Sequence, residues 1–424
     1  MDWALAVAAA SLLLVAAFSR LLTGTPVTAA MVFVALGVLL GPRALDEIDV
    51  SSADAGVRTL AEAALTLVLF CDAARIDPRA LRRDLGLPVR LLGIGLPLTI
   101  GLGALAALLV FGQLTAGEAL ILGVVLAPTD AALGQAVVSD PRVPARIRQG
   151  LNVESGLNDG ICVPLLFAAI AAADVESNIA HGQPALTLLA EEIGYGLLGG
   201  LIAAAAVTAI VVLAGRRGLI APGWRRLIPV AGAALAYGIA APLNGSGFIA
   251  AFSAGALFRA FLREDPAEIN VLAEDVGSLL GAVTFLLFGA ILLGPALGDL
   301  SWQLALYALL SLTVVRLAPV AVAMLGSGAR APTVGFLGWF GPRGLASIVF
   351  AVILIEESNL PHVQILLLAT YLTVALSVFA HGATAAPLAA RYGGWFARHP
   401  GDRRPGMESA PVEVTRTRRS RSRS

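Results

Sequence analysis

Residues 150–160 read GLNVESGLNDG and set a glutamate, a serine, an asparagine and an aspartate inside an otherwise apolar run. On a helix, Glu154 and Asn158 stand four residues apart on one face, and Ser155 and Asp159 share the neighbouring face. One stripe offers a carboxylate and an amide, the other a hydroxyl and a carboxylate. Oxygen donors of this kind suit a hard cation such as Na⁺, whereas thiolate or imidazole would suit transition metals. A second stretch, LAPTDAALG, supplies Pro128, Thr129 and Asp130. Proline removes a backbone donor and clashes with the preceding turn, so a helix breaks there. Thr129 and Asp130 are N-cap types suited to starting a second half-helix, and their oxygens would stabilise its positive end. A third stretch, GFLGWFGPRGLASIVF, interrupts an apolar run at Gly341-Pro342-Arg343-Gly344, and Arg316 stands alone in another apolar run.

These polar groups need elements to hold them, and the composition says which. Of 424 residues, 58% are hydrophobic and only 14% charged, with mean hydropathy +0.84. Soluble chains carry about 25% charged residues. Apolar runs long enough to cross roughly 30 Å of hydrocarbon recur throughout, so the chain is an all-α polytopic membrane protein. Thirteen candidate spans lie at about 3–19, 26–41, 57–74, 88–111, 117–138, 150–173, 186–214, 227–243, 246–262, 272–293, 302–325, 333–355 and 361–386. The N-terminus lacks a basic n-region and a clear cleavage signal, and is expected to remain as the first span. Cys71 and Cys162 both sit in apolar runs and suggest neither a disulfide framework nor a metal cluster.

The basic residues are all arginine. With the N-terminus outside, every arginine falls in a cytoplasmic loop or the C-terminal tail except Arg43 and Arg58, which lie outside, and Arg316 and Arg343, which lie within spans. Positive residues are retained on the cytoplasmic side, so the split supports thirteen spans, N-terminus out and C-terminus in, in the plasma (inner) membrane. Residues 390–424, ending RTRRSRSRS, read as a basic, disordered cytoplasmic tail.

With the spans drawn, Asp130, Glu154, Asp159, Arg316 and Arg343 fall at mid-membrane, and Asp72 near the cytoplasmic end of the third span. Each mid-membrane charge costs about 2.5–3.5 kcal/mol on insertion scales, and such residues face a bundle interior or a water cavity and mark ion paths. Pro128 and Pro342 break the fifth and twelfth spans, which run in opposite directions. Two broken helices so related are the sequence sign of a transporter built from inverted repeats, here spans 4–6 and 11–13.

Together, PTD in span 5, NVESGLNDG in span 6 and GPRG in span 12 resemble the monovalent cation/proton antiporters, specifically bacterial sodium/proton antiporters of the NhaP type. LFCDAARID, NGSGFIAAFSAGALFR and FLLFGAILL extend the resemblance over nearly the whole chain except the tail. The resemblance implies a fold of the NhaA/NhaP kind with two broken crossing helices. It implies that Asp159 binds either cation or proton, with Ser155 and Thr129 lending oxygens to Na⁺. It implies that Glu154 acts through water or by orienting the site, that Arg343 pairs with Glu154 and contacts the Asn158 region, that Arg316 is a second supporting arginine, and that Asp130 offsets the dipoles of the broken helices. The family often has proline after the span 5 aspartate, where this chain has Ala131.

Three buried negatives, Asp130, Glu154 and Asp159, against two positives, Arg316 and Arg343, leave the empty core with one negative charge in excess. One Na⁺ or one H⁺ neutralises it, and a neutral core crosses more cheaply than a charged one. Electroneutral one-for-one exchange by alternating access is therefore expected, with Asn158 keeping a second carboxylate out of the core. The expected transmembrane domain spans 1–389. Its core comprises spans at about 88–173 and 302–386, its dimerisation scaffold spans at about 3–74 and 227–293, with 186–214 linking them. A homodimer is expected from the resemblance, with no cofactor beyond the transported Na⁺, Li⁺ or K⁺ and H⁺, and no nucleic acid. A channel would need a continuous wet pore or a carbonyl filter, and neither is visible. A cation-coupled carrier of a small organic solute is the alternative. An intramembrane enzyme using Asp130 and Asp159 as a dyad leaves the prolines, arginines and Asn158 unexplained.

Overall fold

The computed structural model describes residues 2–22, 25–42, 45, 54–75, 86–176, 185–261, 270–357, 360–399 and 405–409. Among them all regular structure is helical. Among the described residues, seven helices are long and apolar enough to cross a membrane, and five shorter apolar helices accompany them. Every stretch expected to span carries helix. Arg43, Arg79, Arg82, Arg83, Arg263, Arg403 and Arg404, on which the expected orientation partly rests, and all residues after Ser409 lie outside the described residues.

One group of helices comprises α1 (Asp2–Leu22), α2 (Ala29–Leu40), α3 (Asp54–Arg75), α8 (Ala185–Arg216), α9 (Ile228–Ala240), α10 (Gly247–Phe261) and α11 (Val271–Ala296). Here α3 packs on α10 and α11, α10 on α8 and α9, and α2 on α11. The second group comprises α4 (Gly86–Val110), α5 (Ala116–Val125), α6 (Gln135–Val138), α7 (Ala145–Glu176), α12 (Trp302–Ala323), α13 (Ala331–Trp339), α14 (Leu345–Glu357) and α15 (Val363–Ala397). In it α5 packs between α4 and α7, and α15 lies against α12, α13 and α14. The two groups meet where α3 touches α7 and α14, and where α8 and α10 touch α7.

Two helices break as Pro128 and Pro342 require. α5 starts on a capping box, Thr115 Oγ1 accepting from the Glu118 amide and Glu118 Oε2 from the Thr115 amide, and stops at Val125. Residues 126–134 are not helical, and only the single turn of α6 follows. α13 stops at Trp339 and α14 restarts at Leu345, leaving residues 340–344 non-helical. Proline disfavours helix in the residue before it as well as breaking the turn itself, so each interruption begins upstream of its proline.

The packed chain runs past residue 390. α15 continues to Ala397 because Tyr392 stacks on Phe336 (4.2 Å) and Trp395 on Tyr392 (5.4 Å), which extends the packed surface past the last apolar run. Residues Gly406–Ser409 form a further turn, α16. There the buried Glu408 Oε1 accepts from the Arg330 amide (3.0 Å) and the Thr333 hydroxyl (2.5 Å), and Arg146 Nη1 donates to the Met407 carbonyl (2.8 Å). Arg330 gives α13 no side-chain cap, so a carboxylate from the tail does that work at the helix's positive end.

Candidate functional site

The two interruptions cross, and backbone groups freed by each are satisfied by the other. The Asp130 amide donates to the Pro342 carbonyl (2.8 Å), and Asp130 Oδ2 accepts from the Leu345 amide (3.0 Å), the first residue of α14. Asp130 Oδ1 accepts from the Ala132 (2.8 Å) and Leu133 (3.3 Å) amides of its own segment. One carboxylate therefore sits at the positive end of α14 and also closes the turn that follows it in its own segment. Ser347 Oγ donates to the Val125 carbonyl (2.7 Å), covering the C-terminal end of α5. Gly344 makes this approach possible, because a Cβ there would collide with Asp130 Oδ2.

The middle of α7 lies under the crossing. Ser155 Oγ donates to the Thr129 carbonyl (2.5 Å) and accepts from the Ala131 amide (2.8 Å). Asn158 Nδ2 donates to Thr129 Oγ1 (2.8 Å). The Thr129 side chain is thus held by Asn158 and does not cap a half-helix, so the oxygen it leaves toward Ser155 is its backbone carbonyl. Asp159 is 6% exposed, and its Oδ1 is buried without a hydrogen-bond partner, as is Asn158 Oδ1. Buried polar atoms are almost always paired, so two orphaned oxygens one residue apart point to something that visits them.

A cavity of about 290 Å³ leads to Asp159, lined also by Asp130, Ser155, Asn152, Asp72 of α3 and Glu274 of α11. Of the residues singled out in the sequence, Asp159, Ser155, Asp130 and Asp72 line this cavity. Thr129 faces a small neighbouring cleft bounded by Ser155 and Pro342. Glu154, Asn158, Arg316 and Arg343 are buried behind it. On the far side of Asp159, α7 continues as Cys162, Val163, Leu166, Ala169 and Ile170, all buried in the apolar core.

One expected pair is different. Glu154 is held by Arg316, with Nη1–Oε1 at 2.6 Å and Nη2–Oε2 at 2.9 Å and both side chains 3% exposed. Arg343, expected as its partner, turns back on its own loop and donates from Nη1 to the Gly341 carbonyl (2.7 Å), leaving Nε and Nη2 without hydrogen bonds. The cause lies in α12. Thr313 leaves the helical conformation (φ −114°, ψ −90°) while its hydroxyl bonds back to the Leu309 carbonyl, as mid-helix threonine does when it bends a helix. The bend presents Arg316 one turn later, and Gly341 leaves room for its guanidinium. A planar fork facing both carboxylate oxygens is the stronger geometry and takes the glutamate. Other polar groups at the crossing escaped sequence reasoning: Ser347, Ser377 and His381, all buried. Ser377 and His381 are four residues apart in the last apolar run, the same spacing that drew attention to Ser155 and Asp159.

Comparison with known proteins closes the argument. The family model described as sodium/hydrogen exchanger, transmembrane, matches residues 7–391. The chain is 24% identical over 331 residues to the K⁺/H⁺ antiporter NhaP of Alkalimonas amylolytica and 27% identical over 403 residues to the K⁺/H⁺ antiporter NhaP2 of Shewanella sp. strain ANA-3. These alignments take in 78% and 90% of this chain but 56% and 65% of the relatives, so the chain spans less than two thirds of their length. The structure of the sodium proton antiporter MjNhaP1 from Methanocaldococcus jannaschii matches with a TM-score of 0.78 at 20% identity, covering 93% of this chain and 98% of that one, and shares its fold. With the family pattern running through both crossing segments and the α7 stripe between them, the chain belongs to the sodium/hydrogen exchanger family, a family of membrane transporters and not of enzymes.

Proposed function

We propose that the protein exchanges a monovalent cation for H⁺ across the membrane, one for one, with both ions competing for Asp159. The observation that carries this reading is the orphaned Oδ1 of Asp159, a residue that lines the cavity while α7 beyond it is packed in the apolar core. The Ser155 hydroxyl and the Thr129 carbonyl supply the other hard oxygens beside it. Asp130, Asn158, Arg316 and Arg343 support the site, and Glu154 is fixed by Arg316. Na⁺ suits this donor set, and Li⁺ and K⁺ are the competitors.

The helices of the second group act as a mobile core and those of the first, apart from the linking α8, as a fixed scaffold that carries the dimer interface. Asp72 and Glu274 line the cavity from the scaffold side and draw cations in. In the orientation read from the arginines, the cavity faces the cytoplasm. Glu154 and Arg316 cancel, Asp130 and Arg343 cancel, and Asp159 leaves one negative charge for the ion to neutralise before the core moves.

The test is transport in proteoliposomes holding a pH-sensitive dye, with an imposed ΔpH and Na⁺, Li⁺ or K⁺ added in turn. Wild type and Asp159→Asn are compared with and without a clamped potential. Dissipation of ΔpH by wild type alone, unaffected by the clamp, is expected. Full exchange by Asp159→Asn removes the site, and a wild type that moves no protons with any of the three cations removes the function.

A further inference from the structure

α15 runs behind residues 340–344 and presents two buried polar side chains to them, one turn apart: Ser377, 0% exposed, and His381, 1% exposed. His381 Nε2 lies 2.9 Å from the carbonyl oxygen of Trp339, the last residue of α13. A carbonyl only accepts, so Nε2 carries the ring proton. Nδ1 is then a lone pair and accepts the Ser377 hydroxyl proton across 3.1 Å. Ser377 Oγ in turn accepts from the Arg343 amide at 2.6 Å. The opposite tautomer would let Nδ1 donate to the Ser377 carbonyl, also 3.1 Å away, but would set an Nε2 lone pair against the Trp339 oxygen.

The outcome is one directed chain of hydrogen bonds, from the Arg343 amide through Ser377 and His381 to the Trp339 carbonyl. It bridges the interruption from the end of one half-helix almost to the start of the next. Residues 340–344 are therefore gripped from two sides. Asp130 holds Pro342 and Leu345 from the crossing segment, and Ser377 with His381 holds Trp339 and Arg343 from α15. We propose that His381 and Ser377 are positioning residues for ion exchange, holding the broken segment so that Arg343 and the backbone that meets Asp130 keep their places around the ion site. The inference rests on the antiport reading for its kinetic consequence and on geometry alone for its structural one.

His381→Leu removes both ring contacts, while His381→Gln keeps a donor able to reach the Trp339 carbonyl and an acceptor for Ser377. Ser377→Ala breaks the chain with a smaller change, and serves if the leucine variant does not fold. Two readouts are taken on each purified variant: KM and maximal rate for Na⁺ and K⁺ in proteoliposomes, and amide hydrogen exchange of peptides covering 339–345. His381→Leu and Ser377→Ala are expected to raise KM about tenfold, the scale of one lost buried hydrogen bond, and to speed amide exchange in that segment. His381→Gln is expected to stay within about twofold of wild type. A role confined to packing would lower yield and maximal rate with KM unmoved and no rescue by glutamine, and it would overturn the proposal. Wild-type amide exchange at 339–345 in both disruptive variants overturns it as well, even if the protein proves to transport nothing.

Discussion

A carboxylate that accepts either a proton or a metal ion cannot hold both, and on the proposed reading this sets how Asp159 responds to pH. Once the proton competes, each unit fall in pH multiplies the ratio of protonated to deprotonated carboxylate tenfold. KM for the cation should therefore rise about tenfold per unit on the acid side and level off on the alkaline side. Measured at four or more pH values, a limiting slope of one supports a single shared carboxylate, and a slope near two means that a second group must deprotonate with it. The Glu154–Arg316 pair is the other residue-scale test. Both partners are 3% exposed, and removing one partner of a buried pair strands the other at a cost of about 3–5 kcal/mol. Glu154→Gln and Arg316→Gln should each lower the thermal midpoint sharply and the double variant by much less than their sum, whereas Glu154→Gln with Arg343→Gln should add. The reverse pattern would restore Arg343 as the partner of Glu154.

At the scale of elements, the crossing depends on a missing side chain. An alanine at 344 would drive its Cβ into Asp130 Oδ2, so either the carboxylate leaves the Leu345 amide or the two broken segments part. Gly344→Ala should fold with reduced stability and lose most exchange activity, while Gly335→Ala, which meets open space within α13, should do neither. Equal loss in both would show that helix flexibility, and not the approach of Asp130, is what matters. The interruptions themselves were legible because proline acts on its own turn and the one before, so Pro128 and Pro342 marked the broken segments to within a few residues. The stripe on α7 was legible for a similar local reason, the four-residue spacing of a helix. Which arginine meets Glu154 was not legible, because the answer turns on a bend at Thr313 that has no strong sequence signal. Nor was the packing beyond residue 390. Tyr392, Trp395 and Glu408 sit in a stretch that is polar by composition, and their partners Phe336, Arg330 and Thr333 are more than fifty residues upstream.

For the whole molecule, the proposed exchange moves a charge total across the membrane, and Asn158 is a residue through which that total can be changed. Its Nδ2 is tied to Thr129 Oγ1 while its Oδ1 is buried without a partner. An aspartate there adds one negative charge to the core without adding bulk. If the added group stays ionised, the core loaded with a single Na⁺ remains negative and its movement senses the membrane potential, at about 2.3 kcal/mol per charge per 100 mV. Asn158→Asp should then exchange at a rate that changes when the potential is clamped, while wild type does not. Asp72 and Glu274 do not alter this balance, because α3 and α11 belong to the group of helices proposed to stand still. Neutralising Asp72 should therefore weaken cation entry without conferring potential sensitivity, which separates a charge that travels from a charge that only attracts. An Asn158→Asp variant that exchanges at wild-type rates, insensitive to the clamp, would mean that the core carries an extra proton to stay neutral, and that its charge is set by protonation rather than by its count of carboxylates.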